Sequence, residues 1–412
     1  MSTYTPVAPG ERIQSLDVLR GFALLGILIM NVQSFSMPTA AYVNPTAWGD
    51  LTGINLMVWL ASHVLADQKF MTLFSILFGA GVCLFADRAE ARSGRSASVH
   101  YRRMFWLLVF GLLHVYFLWT GDILVPYAIC GCGIYLFRNR SPRRLLVLGI
   151  CVFSVATFLN LFFAWGLMNY ASPEAVAGVA SFWTPDAAAL EAELAAYQGG
   201  WMAQQAYRVR AAFEMHTFVM PVFMLWPCGG AMLVGMALYK WGVLSAARSS
   251  RFYRRMIVIG VAAGLTAIGA GVWWNFSGGW TWQSSFFTGV QFNYWGSTGV
   301  ALGYLGLIML AVQKGVFSNL QRRLAAVGRL AFTNYILQTV LCTLLFYGHG
   351  FGLFGSVERY QQLFVVLAVW LIQLWLSPVW LRRYAYGPLE WAWRALTYWY
   401  IPKMRLRESP AQ

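Results

Sequence analysis

Ten apolar runs, each near the length needed to cross a hydrocarbon core of about 30 Å, alternate along this chain with short basic clusters. The runs fall at roughly 18–36, 70–86, 104–120, 122–137, 144–167, 217–239, 255–275, 296–313, 330–347 and 361–381. A water-soluble fold has no place for so many. Hydrophobic residues make up 59% of the chain and charged residues only 11%, against about a quarter charged in a soluble domain. The expected fold class is therefore all-α: a polytopic membrane protein of about ten transmembrane helices.

Charge placement sets the expected orientation. With the N-terminus cytoplasmic and ten crossings, 26 of the 30 Lys and Arg fall on the cytoplasmic side. Only Lys69, Arg208, Arg210 and Arg359 fall on the other. Nine of the fifteen acids lean the opposite way, among them Asp50, Asp67, Asp122 and Glu358. Alternation of this kind, loop by loop, is the positive-inside pattern, and it places both termini in the cytoplasm. It also accounts for a net charge of +15 without a nucleic-acid-binding stripe, so nucleic acid is not an expected partner. Two five-helix halves, 1–167 and 217–412, then flank an extracytoplasmic loop, 168–216, and the second half ends in an amphipathic tail. The first run reads as a retained helix rather than a cleaved signal. The six cysteines form no CxxC pair and read as small packing residues. The strings GGAMLVG (229–235) and GVALGYLG (299–306) predict close helix crossings.

An ionisable side chain at membrane depth is costly, so the few present are candidate functional residues. His114 lies eleven positions beyond Arg103, roughly 16 Å along a helix and past the membrane midplane. A neutral imidazole there can act as a general base. Asp122 follows across the tight turn TGD and can fix the tautomer of His114. The competing reading is a buried His satisfied by a carbonyl or water, with Asp122 as a helix N-cap. His63 and Asp67, four apart and beside Lys69, share a helix face, either as part of a substrate mouth or as a surface ion pair. Arg20 and Asn31 lie on one stripe of the first helix, Arg20 suited to an anionic group and Asn31 offering both donor and acceptor. Asn334 and Gln338, four apart, share another face. These three amides read as substrate contacts or as an interhelical hydrogen-bond network. Walker, HExxH and GxSxG patterns are absent from the sequence, so ATP hydrolysis, zinc proteolysis and serine-hydrolase chemistry lose support, and no metal is expected.

Five strings, SLDVLRGFALLGILIMN, KFMTLFSILFGAG, RRMFWLLVFGLLHVYFLWTGDILVPYA, GRLAFTNYILQ and YGPLEWAWR, resemble the YeiB-like family in the expected order over most of the chain. These are bacterial inner-membrane proteins with a C-terminal domain of unknown function, and the resemblance implies a multi-pass inner-membrane location. The first helix also resembles the transmembrane acyltransferases. There an Arg–Gly is followed, ten intervening residues later, by His in the bacterial O-acyltransferases and by Asn in the branch of heparan-α-glucosaminide N-acetyltransferase. Arg20–Gly21 and Asn31 match the second branch. That resemblance implies transfer of an acyl group from cytoplasmic acyl-CoA to an extracytoplasmic hydroxyl or amine, with the base away from position 31 and His114 in that role. Asp122 would orient it, Asn31 would stabilise an oxyanion, and Arg20, Arg103 and Arg329 would meet the donor's phosphates. Besides donor and acceptor, the expected partners are membrane lipid and a second copy of the chain. The rival expectation is a transporter or transporter-associated protein. Against it, the segment carrying His114 and GDIL has no counterpart five spans later.

The orientation has a direct check. Reporters that fluoresce only in the cytoplasm, fused to either terminus, should both fluoresce. A dark C-terminal fusion would mean an odd number of crossings and overturn the assignment.

Overall fold

The computed structural model describes residues 12–93 and 96–406, so Arg95 and Arg407 of the basic clusters lie outside it. Every expected apolar run is helical, and among the described residues no strand forms beyond one isolated bridge between Tyr384 and Arg405. In chain order the principal helices are α1 (Gln14–Ser36), α2 (Gly53–Leu65), α3 (Lys69–Ser93), α4 (Ser96–Phe117), α5 (Leu124–Ile134) and α6 (Pro142–Asn169). Then come α7 (Pro173–Trp183), α8 (Ala187–Gln198), α9 (Trp201–Glu214), α10 (Leu225–Lys240), α11 (Ser250–Ser277) and α12 (Val290–Lys314). The chain closes with α13 (Ser318–Arg329), α14 (Ala331–Phe346), α15 (Arg359–Arg383) and α16 (Pro388–Tyr398).

Among the described residues, seven helical stretches are long and apolar enough to cross a membrane, and the α13–α14 pair, bent by 84°, makes an eighth. The protein is thus an all-α polytopic membrane protein. The other two expected spans are the arms of the α4–α5 hairpin. The α4 arm carries Arg102 and Arg103 in its second turn, and the α5 arm, Leu124–Phe137, is too short to span. Within the turn between its arms, Trp119 and Asp122 are buried.

Segment 168–216 is helical and largely exposed. Its first part forms α7 and α8, and from Trp201 the chain runs as one helical stretch of 40 residues to Lys240, about 60 Å long. A π-helical turn at Met215–Met224 carries Pro221 within it. α8 is mostly exposed but anchored along one face: buried Glu193 accepts from the Thr39 amide (2.9 Å) and hydroxyl (2.7 Å), and Tyr197 O accepts from Gly348 N (2.9 Å).

The two halves interlock. α10 packs along α3 and α6, α11 along α12, and α1 along α13. Glycines set these crossings, as the small-residue strings predict. A Cβ on Gly79 would overlap the Met232 carbonyl, and one on Gly235 would overlap the Ile76 carbonyl. Backbone lies directly on backbone there, and dispersion between the chains takes the place of side-chain burial. Gly81, two residues on, has nothing within 4 Å of its would-be Cβ.

These two glycines should separate in a mutational test. Gly79→Ala should destabilise the solubilised protein by about 1–3 kcal/mol through overpacking. Gly81→Ala should be neutral or stabilising by about 0.5–1 kcal/mol through helix propensity. Equal melting temperatures for the two variants would contradict the assigned α3–α10 contact.

Candidate active site

At one end of the bundle α1 and α13 touch through glycine. A Cβ on Gly21 would overlap the Leu324 carbonyl, and one on Gly328 would overlap the Asp17 carbonyl. The next-door residues, Arg20 and Arg329, are thereby brought to one place. Arg20 Nη1 donates to Asp17 Oδ1 (2.9 Å) and to Gly328 O (3.4 Å). The bend at Leu330 leaves the first amides of α14 without helical acceptors. Glu390 of α16 supplies them: its Oε1 accepts from Phe332 N (2.7 Å) and Thr333 N (3.1 Å), and its Oε2 from the Thr333 hydroxyl (2.5 Å). The GPLEW string is thus a cap delivered from a distant helix. Gly387 is needed because a Cβ would overlap Glu390 Oε2, and Leu389 N returns a bond to Thr333 Oγ1 (3.2 Å).

These elements enclose a cavity of about 380 Å³, inside the usual range for small-molecule sites. Its mouth carries Arg12, Arg20, Arg88, Arg103, Arg329 and Arg394 against Asp17 and Glu390. The Arg103 guanidinium lies over the Trp393 ring (4.4 Å) and the Phe85 ring (5.0 Å). Arg329 Nε is buried with no hydrogen-bond partner among the described residues, an unusual state for a guanidinium donor. The interior is apolar, with Ile27, Leu77, Leu107 and Leu124 on its walls, and Tyr335 and Ile123 also line it.

Behind Tyr335, at a ring separation of 5.2 Å, lies His114. Its Nδ1 is 2.7 Å from Asp122 Oδ1 and its Nε2 is 3.0 Å from Thr339 Oγ1. Asp122 Oδ2 accepts from Val125 N (2.8 Å) at the start of α5, so one carboxylate bonds both His114 and the first turn of that helix. Ile123 N donates to the Tyr335 hydroxyl (3.3 Å). His114, Asp122 and Thr339 are 2%, 3% and 1% exposed, so they sit one layer behind the cavity wall rather than in it.

The other expected residues divide. Arg20, Arg103 and Arg329 all line the mouth. Asn31 is half-buried, lies outside the cavity lining, and shares no hydrogen bond with His114 or Asp122. Asn334 and Gln338 form the interhelical network: Asn334 Nδ2 donates to Ser377 Oγ (3.0 Å), Gln338 Nε2 to Gln373 Oε1 (3.0 Å), and Gln373 Nε2 to Asn334 O (2.8 Å). His63, Asp67 and Lys69 gather at the break between α2 and α3, away from the cavity lining. There His63 Nδ1 is 3.2 Å from Asp67 Oδ2, and Lys69 Nζ, fully buried, donates to His63 O and Asn293 Oδ1 at 2.6 Å each. His100, which its basic surroundings place on a solvated loop, is instead fully buried in the first turns of α4, with Nε2 3.0 Å from Gly131 O. Tyr335, Thr339 and Glu390 were not singled out by sequence reasoning. Glu390 and Tyr335 lie within the strings GPLEW and GRLAFTNYILQ, and Thr339 falls just beyond the second.

Fold and site together define a helical membrane protein whose internal cavity has an arginine-rich mouth. The chain belongs to the YeiB-like family: it is 33% identical over 402 residues to the uncharacterized protein YeiB of Escherichia coli (strain K12), across 94% of this chain and 96% of that one. It is also 28% identical over 417 residues to the uncharacterized protein YxaH of Bacillus subtilis (strain 168), across 97% of each. The family described as a protein of unknown function, DUF418, matches residues 238–400, which hold Arg329, Tyr335, Thr339 and Glu390.

Burial lifts the Glu390 carboxyl above its usual range, while its bonds from Thr333 and Phe332 oppose the rise. A raised folded-state pKa means stability present at low pH and lost as pH climbs through that value. The melting temperature of the wild type relative to Glu390→Gln should therefore fall as pH climbs above the ordinary glutamate value of about 4.3. Glu390→Ala should cost about 1–2 kcal/mol, the loss of a helix cap. A wild-type-to-Gln difference that ignores pH would refute the buried-acid account.

Proposed function

We propose that the protein is an inner-membrane acyltransferase that moves an acyl group from cytoplasmic acyl-CoA to an extracytoplasmic hydroxyl or amine. The supporting observation is the cavity, which joins a mouth of arginines to an apolar interior ending at Tyr335, against His114. An unsatisfied buried Arg329 donor and five further arginines suit phosphate, which guanidinium groups bind in bidentate fashion. Tyr400, exposed at the same mouth, offers a face for a base to stack on. The apolar interior suits the acyl arm.

The chemistry falls to His114. An ionised Asp122 only accepts, so Nδ1 carries the proton of a neutral imidazole and Nε2 is left as the base. Nε2 takes the proton of the attacking hydroxyl or amine, and Asp122 stabilises the imidazolium that results. Tyr335 stands between the cavity and His114, and this reading has its ring turn aside when donor binds. Asn31 lies off the cavity, and the oxyanion role is not assigned to it. The transporter alternative draws on one feature, the buried Lys69 beside the helix break after α2, which does not line the cavity.

Binding of CoA to the solubilised protein, followed by titration calorimetry, tests the reading. Arg103→Ala and Arg329→Ala should each weaken CoA by about tenfold or more, the worth of one charge-assisted hydrogen bond. His114→Ala should leave CoA affinity within about twofold while abolishing acyl transfer. Wild-type protein that fails to bind CoA, or arginine variants that bind as well as wild type, would defeat the proposal.

A further inference from the structure

Several helical hydroxyls of this chain bond their own helix backbone, and Thr339 does not. Thr72 donates to Gln68 O (2.8 Å), Ser36 to Val32 O (2.7 Å) and Thr217 to Phe213 O (2.7 Å), each closing on the carbonyl four residues back. Thr339 instead turns its Oγ1 to His114 Nε2 (3.0 Å). With Nδ1–H committed to Asp122, Nε2 is an acceptor, so the Thr339 hydroxyl must be the donor. An Asp–His–Thr relay results, in which a base already holds the proton of a hydroxyl and a carboxylate holds the base.

The relay abuts the cavity on two sides. Tyr335, one turn before Thr339 on α14, lines it, and so does Ile123, the neighbour of Asp122. A 3.3 Å bond from Ile123 N to the Tyr335 hydroxyl spans the wall. On the far side of His114 lies a buried aromatic layer. The Trp119 ring is 6.2 Å from His114 and stacks on Phe35 at 4.1 Å, and the same cluster holds Tyr197 and Tyr347.

We propose that Thr339 is the first acceptor of the acyl group, forming a covalent ester through which the group passes from the basic side to the far side. The proposal rests on the acyl-transfer reading above and adds an intermediate to it. In the first half-reaction Thr339 Oγ attacks the thioester carbonyl. The Oγ–C bond forms, the C–S bond breaks, and the hydroxyl proton passes to His114 Nε2 and on to the departing thiolate, which leaves as the free thiol. In the second, His114 Nε2 takes a proton from the acceptor hydroxyl or amine, whose oxygen or nitrogen attacks the ester carbonyl. The C–Oγ bond breaks and the proton returns to Thr339. Donor and acceptor then never occupy the membrane interior together, which suits a site wedged between a cavity open at its arginine mouth and an aromatic layer.

The experiment uses full-length protein in inverted membrane vesicles given radiolabelled acetyl-, octanoyl- or palmitoyl-CoA. After an early quench in denaturant, wild-type chain should carry up to about one label per molecule, as a nucleophilic intermediate requires. The label should survive neutral hydroxylamine, which would release a thioester on cysteine, and should map by tandem mass spectrometry to the peptide holding Thr339. Thr339→Ser should keep label and transfer, while Thr339→Ala should lose both and bind CoA within about twofold of wild type. Three results overturn the intermediate: transfer by Thr339→Ala above about a tenth of wild type, label on another residue, or wild-type transfer with no labelled chain. No transfer from any of the three donors by wild type overturns the acyl-transfer reading itself, and the intermediate falls with it.

Discussion

Asp122 places a carboxylate among apolar helices, and the groups that make this tolerable organise the centre of the molecule. Removing such a charge from water costs several kcal/mol even after relaxation, so it persists only where donors surround it. Two do: His114 Nδ1–H at 2.7 Å and Val125 N–H at 2.8 Å. Both come from the hairpin that contains Asp122, so the α4–α5 turn is self-contained at this point. It is then tied outward. A Cβ on Gly121 would overlap the Trp119 ring, so glycine lets Trp119 fold over the turn and reach Phe35 of α1. His114 Nε2 ties the same hairpin to α14 through Thr339. One buried charge thus fixes the relation of three elements that border the cavity.

The cavity's other end depends on the 84° break between α13 and α14. A straight helix would carry Arg329 away from α1. The bend holds it beside Arg20 at the Gly21–Gly328 contact and exposes the first amides of α14, which Glu390 then satisfies. The α16 segment that brings Glu390 also brings Trp393 and Arg394 to the rim. A capping requirement therefore assembles the mouth, and the same glycines that permit close helix contact decide which arginines face it. In the bend, the cap and the crossing, local stability and site geometry are one problem.

Much of this was legible in the sequence where the deciding interaction is local. His114 and Asp122 are eight residues apart across a tight turn, so their pairing follows from hairpin geometry. The helices, the glycine crossings and the arginine mouth follow from apolar runs, small-residue spacing and charge clusters. Partnerships between distant segments were not legible. Thr339 meets His114 across 225 positions, and a threonine in an apolar helix ordinarily bonds its own backbone. Nothing near His100 announces that it will be buried against Gly131 and the Tyr135 ring. Helix formers in 168–216 identify helices but not that Glu193 will be buried beneath them, because burial there depends on Thr39. Asn31 shows the converse: a position matched by resemblance to a motif need not reach the site that the fold builds.

Depth sets what a donor entering from the mouth can reach. Arg103 and His114 are eleven positions apart on α4, roughly 16 Å, about half the thickness of a hydrocarbon core. Under the acyl-transfer proposal a donor held by its phosphates at the arginines therefore brings its thioester to the middle of the membrane and no further. The remaining depth is filled by packed aromatic side chains, with α8 folded over them. A polar acceptor and a charged donor would each have to be desolvated to meet there, at a cost that rises when both are present. A group that changes partners at the midplane avoids that double desolvation: only the acyl moiety, the most apolar part of either substrate, resides in the interior. Under the acyl-transfer proposal, a base and a hydroxyl at the depth of His114 would serve both faces, which neither rim could do.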